Sequence, residues 1–210
     1  MGIEASNAEC AFDILREGIN EVIATTEQNA APMGVIRHEK SLHMVVYLTS
    51  HTAQNLQTCS FVVLHITDDA RWFVRTAFSD PDPEEYVLET CDGVFIPRLR
   101  EIPSWIVCTC SIQNRTKEKL LVSLVPIRVV QPPHLFHPVN RGRNSVIEAT
   151  VHATRYVQTK DPMLRCLISF HLGVAQKCGD NTVKEAVDLL LSYLNMHGCD
   201  MEIITHQTGG

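Results

Sequence analysis

Between Gly18 and Val130 the chain is cut into short runs rich in valine, isoleucine and threonine, and beyond Pro138 that pattern stops. The runs are Gly18–Thr26, Ala31–His38, Ser41–Thr49, Cys59–Thr67, Ser104–Gln113 and Leu120–Val130. Branched side chains of this kind suit a pleated, half-buried surface, so each run predicts a strand. Gln28-Asn29 and Glu39-Lys40 supply turn residues between them, and Cys91-Asp92-Gly93, between further apolar runs, is a hairpin signal. Two brief helices are expected in the gaps. One covers His51–Gln57, with Ser50 or Thr52 as N-cap. The other covers Asp68–Phe78, where paired aspartates favour a helix start and Trp72, Phe73 and Phe78 supply an apolar side. Ser79–Glu85 is an acidic loop broken by prolines. Strand after strand at short intervals predicts a closed or nearly closed barrel.

After Pro138 the apolar period becomes helical. Val146, Ile147, Thr150, Thr154 and Val157 share one stripe; Leu164, Leu167, Ile168, His171, Leu172 and Ala175 share a second. Asp161-Pro162 opens the second helix and Gly179 closes it. Thr182–Glu185 reads as a capping box ahead of a third helix that ends at Gly198. Three amphipathic helices need cover for their apolar sides, and are expected to pack on one another and on the barrel. The predicted division is a barrel domain over 12–133 and a helical part over 138–198, in an α+β chain.

Charge and cysteine usage narrow the function. The formal net charge is −6, which argues against duplex nucleic acid as a partner. No apolar run is long enough for a bilayer, and Glu4 and Glu9 do not suit a signal peptide. The eight cysteines form no CxxC pair, so reduced thiols and a cytoplasmic location are expected. Cys108 and Cys110 alternate along one strand and read as core thiols, and His171 as a hydrogen-bonded core histidine. His134 and His137 have a metal-compatible spacing but no cysteine or carboxylate cluster beside them, so no metal site is expected. No nucleotide-binding loop or nucleophile elbow occurs; any catalysis would rest on a cofactor.

Three segments carry candidate binding chemistry. Thr49-Ser50-His51-Thr52 gathers hydroxyls and an imidazole where a strand hands over to a helix, a seat for a phosphate or simply a cap. Asn29–Gly34 has small residues that let a flat ligand approach the backbone, or that merely enter an edge strand at Pro32. Arg141 and Arg143 stand at the head of the first long helix and oppose its dipole. An anionic ligand, Glu148 or the acidic loop would compensate them.

The runs EVIATTEQNAAPMGVIRHE, VVYLTSHTAQNL and FVVLHITDDARWFVRTAF, followed by NRGRNSVIEATVHATRY, resemble a family of uncharacterised proteins related to FMN-binding split-barrel flavoproteins. The resemblance spans roughly 19–198 in matching order. It implies a six-stranded Greek-key split barrel of the FMN-binding type with a C-terminal three-helix segment, dimerising with FMN at the subunit interface. It points to Thr49, Ser50, Thr52 and Asn55 for the phosphate, and to Asn29, Ala30, Ala31 and Met33 beside the ring. Arg141 and Arg143 join this set on the dipole argument. The basic phosphate-binding positions of pyridoxamine-phosphate oxidases are not matched, so the resemblance does not carry over the substrate of those enzymes. The expected function is that of a homodimeric FMN-binding protein, as a flavin-dependent oxidoreductase of unknown substrate. The alternatives are a non-catalytic flavin carrier or scaffold, and a reductase that uses a deazaflavin.

Overall fold

The computed structural model describes residues 7–91, 93–132, 137–201 and 203. Its strands are β1 (Gly18–Thr26), β2 (Asn29–His38), β3 (Ser41–Tyr47), β4 (Phe61–His65), β5 (Tyr86–Cys91), β6 (Val94–Leu99), β7 (Trp105–Arg115) and β8 (Lys119–Val130). Its helices are α1 (Asn7–Ile14), α2 (His51–Asn55), α3 (Ala70–Phe78), α4 (Arg141–Thr159), α5 (Pro162–Cys178) and α6 (Asn181–Met196). Six strands close into an antiparallel barrel in the order β1-β2-β3-β8-β7-β4, while β5 and β6 form a separate hairpin. The chain divides into two compact units. One takes the residues up to Arg16 with Asn20–Val139, and the other takes Glu17–Ile19 with Asn140 onward.

Alternation explains the barrel. In β3, Leu42, Met44 and Val46 are buried while Val45 and Tyr47 are exposed, as period-2 patterning demands. The inward residues join Val22, Ala24, Val35, Val62, Leu64, Ile106, Cys108, Leu120 and Val122 in one core. β4 does not alternate, because both of its faces are covered. Val62 and Leu64 face the barrel core, and Val63 lies under the hairpin with Cys91, Ile96, Trp105 and Val107. A strand buried on both sides needs a continuous apolar run, and FVVLH is one. Where the hairpin ends, the outer surface stays bare: Val45 pairs with Leu121, and Tyr47 and Val125 stand in the open.

His65 ties three strands together. Its Nδ1 lies 3.1 Å from the carbonyl of Ile23 in β1, and the N–H of Leu99 in β6 donates to Nε2 at 2.9 Å. The second bond requires Nε2 to be an acceptor, so the proton sits on Nδ1 and the ring is neutral. Complete burial is the main reason that its pKa is pushed down to about 4.

Several sequence expectations need correction. α1 was not foreseen; its Ala11 and Ile14, with Leu15, fill part of the barrel core. The first turn is at Glu27 and Gln28, and Asn29 already belongs to β2. β2 is not an edge strand: it has neighbours on both sides, and Pro32 precedes the β2–β3 ladder, which starts at Val35↔Met44. α6 is capped by Asp180, whose side chain accepts from the N–H of Val183, rather than by Thr182. Gly179 closes α5 with an extended φ of −81°, so it is not a left-handed cap. Close packing requires it. A Cβ on Gly179 would run into Val183, and one on Gly142 would stand 2.5 Å from the nitrogen of Gly179.

In the helical unit α4, α5 and α6 share a core of Ala149, Ala153, Tyr156, Ile168, Leu172, Val187 and Leu194. His171 departs from expectation: its Nδ1 is buried without a hydrogen-bond partner, and its ring lies 5.7 Å from that of His152. No helix among the described residues is long and apolar enough to cross a membrane.

Candidate functional site

The turn after β3, the start of β2 and the end of α3 enclose a cavity of about 290 Å³ lined by Asn29 and Ala31, by Thr49–Thr52 and by Thr76–Asp80. Each wall has a local cause. Ser50 caps α2: its Oγ accepts from the N–H of Ala53 at 3.1 Å and donates to the carbonyl of Tyr47 at 2.8 Å. A cap of this kind is worth about 1 kcal/mol, and it fixes the direction of the turn. α2 has only five residues, so its dipole is small, and the N–H of Ala53 is already taken. The helix-terminus argument for an anion therefore weakens, and side chains must supply the donors.

They form a relay. Thr52 is fully buried, and its hydroxyl donates to Oδ1 of Asn29 at 2.9 Å. That bond settles which end of the Asn29 amide faces the cavity. Nδ2 points at Asp80 and donates to its Oδ1 at 2.7 Å. The N–H of Ala30 donates to the same oxygen at 3.2 Å, and Nδ1 of His51 stands 3.6 Å from the other one. An amide, a backbone N–H and an imidazole thus converge on one carboxylate. Of the residues lining the cavity only His51 and Asp80 ionise. Behind this wall Tyr86 has a buried hydroxyl without a partner; burial, then the charges of Asp80 and Glu85, push its ionisation up.

The structure gathers five of the residues named from sequence on this cavity: Asn29, Ala31, Thr49, Ser50 and Thr52. Ala30 is buried against Ile23, Tyr86 and Leu99, and only its N–H reaches the site. Met33 packs against the barrel core. The Nδ2 of Asn55 donates to the carbonyl of Thr26 at 2.9 Å, clamping α2 to β1. Arg141 and Arg143 are exposed at the head of α4, where Asn140 is the N-cap and accepts from the N–H of Arg143 at 2.9 Å. That helix belongs to the other unit.

Sequence reasoning missed Asp80 as a member of the site, because its partners lie 50 and 51 positions away. It also misplaced Phe78. Trp72 and Phe73 pack against the hairpin's buried residues as expected, but Phe78 is 90% exposed at the rim of the cavity. Cys108 and Cys110 do share the barrel core, and burial raises both thiols, Cys110 to about 12. His137 bonds the carbonyl of Ile14 at 3.0 Å, and His134 lies outside the described residues. Among the described residues no group of three or more metal-binding side chains converges.

A closed six-stranded antiparallel barrel followed by helices is the architecture of split-barrel flavin-binding proteins. Residues 20–131 match the family described as "Protein of unknown function (DUF447) N-terminal domain", and 140–192 match "Protein of unknown function (DUF447)". The chain belongs to that family. It is similar to the crystal structure of the FMN-bound protein MM1853 from Methanosarcina mazei, of the same family. The two are 34% identical with a TM-score of 0.55, over 88% of this chain and 98% of that one. Weaker similarity extends to a flavin reductase domain protein from Arthrobacter sp. FB24, at 14% identity and a TM-score of 0.43, over 56% of this chain and 80% of that one. Flavin reductase HpaC, complexed with NADP+, is 17% identical with a TM-score of 0.45, over 62% and 90% of the respective chains. No curated protein matches the chain.

Proposed function

We propose that this protein binds FMN, with the phosphate end in the Asn29–Asp80 cavity, and serves a flavin-dependent redox reaction. The observation that carries the reading is the convergence of Asn29 Nδ2, the Ala30 N–H and His51 on a single anionic group. These donors fit a phosphate, which presents the same kind of acceptor with more charge. The FMN-bound relative at 34% identity supports the choice of flavin. A volume of about 290 Å³ suits one end of a flavin nucleotide rather than the whole.

When bound, FMN supplies hydride or electron transfer at its ring. The chain's own residues bind and orient. Thr52 fixes the Asn29 amide so that Nδ2 faces the ligand, and removing its hydroxyl would leave that amide unaligned. Thr49 adds an exposed hydroxyl at the rim. Ala31 keeps the wall low, which lets a ligand approach the β2 backbone. The bare outer surface at Val45, Tyr47, Leu121 and Val125 supports a homodimer through the barrel, since symmetric pairing is the commonest way to cover such a face. Light scattering at micromolar concentration should return twice the mass of the 23.6 kDa chain.

Titration followed by flavin fluorescence tests the cofactor. FMN should bind about tenfold or more tightly than riboflavin, because only FMN brings the phosphate to these donors. Equal affinities would move the phosphate elsewhere. Turnover of reduced nicotinamide by the flavin-loaded protein tests the redox reading.

A further inference from the structure

The cavity that would receive a phosphate already holds an anion of the protein's own. Asp80 Oδ1 accepts from Asn29 Nδ2 and from the N–H of Ala30, and Oδ2 lies beside His51. These are contacts between distant parts of the chain, not a local turn motif. The segment around Asp80 is anchored on both sides. The N–H of Ser79 donates to the carbonyl of Arg75 at 3.0 Å, Pro81 is buried, and Asp82 starts the short turn at Pro83–Glu85. Its side chain nevertheless remains 39% exposed, so rotation of the carboxylate into water needs no rearrangement of the loop.

We propose that Asp80 is an internal competitor for the ligand's phosphate and the residue that sets both the affinity for FMN and the preference for FMN over riboflavin. The inference rests on the reading of this cavity as the phosphate site. A carboxylate and a phosphate cannot share the Asn29 and Ala30 donors. A phosphate at neutral pH carries roughly 1.5 to 2 negative charges, so the two also repel across the few ångströms of the cavity. FMN therefore enters by exchange: Asp80 swings out, gives up its hydrogen bonds to the phosphate and gains water. Part of the favourable energy of the new contacts is spent on that exchange. Riboflavin brings no anion to those donors and leaves Asp80 in place. Replacing the carboxylate by a neutral group should thus tighten FMN alone, the reverse of what removal of a ligand-binding side chain does.

The experiment compares wild type, Asp80→Asn and Asp80→Ala by titration with FMN and with riboflavin at low and high salt, with melting temperatures of the flavin-free proteins alongside. Both variants should bind FMN about tenfold more tightly than wild type, with riboflavin affinity unchanged. The gain should shrink in high salt, where repulsion between the two anions is screened. If wild type binds FMN and both variants bind it equally or more weakly, Asp80 is scaffold for Asn29 and the proposal is overturned. A parallel change for both flavins overturns it too, since that is the mark of altered packing. Absence of FMN binding in all three proteins removes the cofactor reading itself and this proposal with it.

Discussion

Two concavities of similar size occupy the two units of this chain, and their walls differ in kind. The cavity of about 290 Å³ in the barrel unit is built from hydroxyls, an amide, an imidazole and a carboxylate, joined in the relay from Thr52 through Asn29 to Asp80. The groove of about 340 Å³ in the helical unit is built from Val146, Ile147, Val151, Leu189 and Tyr193. Size alone would favour the second. A flavin nucleotide, however, has one end that must be met by oriented donors, and a hydrocarbon wall leaves a buried phosphate unpaired at a cost of several kcal/mol. Fixed polar groups, which cost stability to bury and align, mark a site more surely than volume does.

The contrast is broken most severely by filling each concavity. Ala31→Trp should push FMN binding down about a thousandfold or more, some 4 kcal/mol, while Leu189→Trp should leave it unchanged. Flavin titration decides, with melting curves to confirm that both variants fold. Acid comes next. The folded pKa of His65 is about 4 against an ordinary 6.5, so the unfolded chain binds the extra proton first. Its contribution is complete above pH 6.5 and is lost as pH falls towards 4, a decrease of about 3 kcal/mol. His171, lowered by burial and by His152, gives the helical unit a smaller loss of the same sign. Urea unfolding from pH 7.5 to about pH 4 checks the loss at His65, because Trp72 and Trp105, the chain's two tryptophans, both report on the barrel unit. His65→Leu should be less stable at neutral pH and show a flatter pH dependence.

Gly142→Val tests whether the helical unit matters to the cavity. Its new side chain would press on Gly179 and should lower helix stability by about 1–3 kcal/mol, read by circular dichroism, with FMN affinity unchanged. The smallest expected effect is that of Thr49→Val, which removes one rim hydroxyl and should weaken FMN about threefold without touching riboflavin.

What the sequence disclosed follows the range of the interactions. Period-2 patterning in SLHMVVY and the unbroken FVVLH report burial directly, so these strands were legible, whereas their order around the barrel depends on long-range pairing that no local run displays. So was Asp161-Pro162, since a cap acts within one turn. α1 is only eight residues long, too short for its apolar spacing to stand out. Thr52 and Asn29 stood out as residue types, but the relay that joins them to Asp80 did not. Nothing local distinguishes Thr52, which faces inward to Asn29, from Thr49, which faces solvent. Asp80 looked like one acid among several in a loop, and only folding brings it to Asn29. Gly179 marks the end of α5 in the sequence, but its close packing against Val183, which its lack of a side chain permits, is visible only in the fold.

The central claim is that the donors around Asp80 receive the phosphate of FMN. Backbone amide chemical shifts recorded through an FMN titration, with a riboflavin titration subtracted, test it most directly. The phosphate-specific changes should be largest at Ala30, at His51 to Ala53 and at Asp80. Changes centred instead on Ile147, Leu189 and Tyr193, with the Ala30 amide unmoved, would contradict the account.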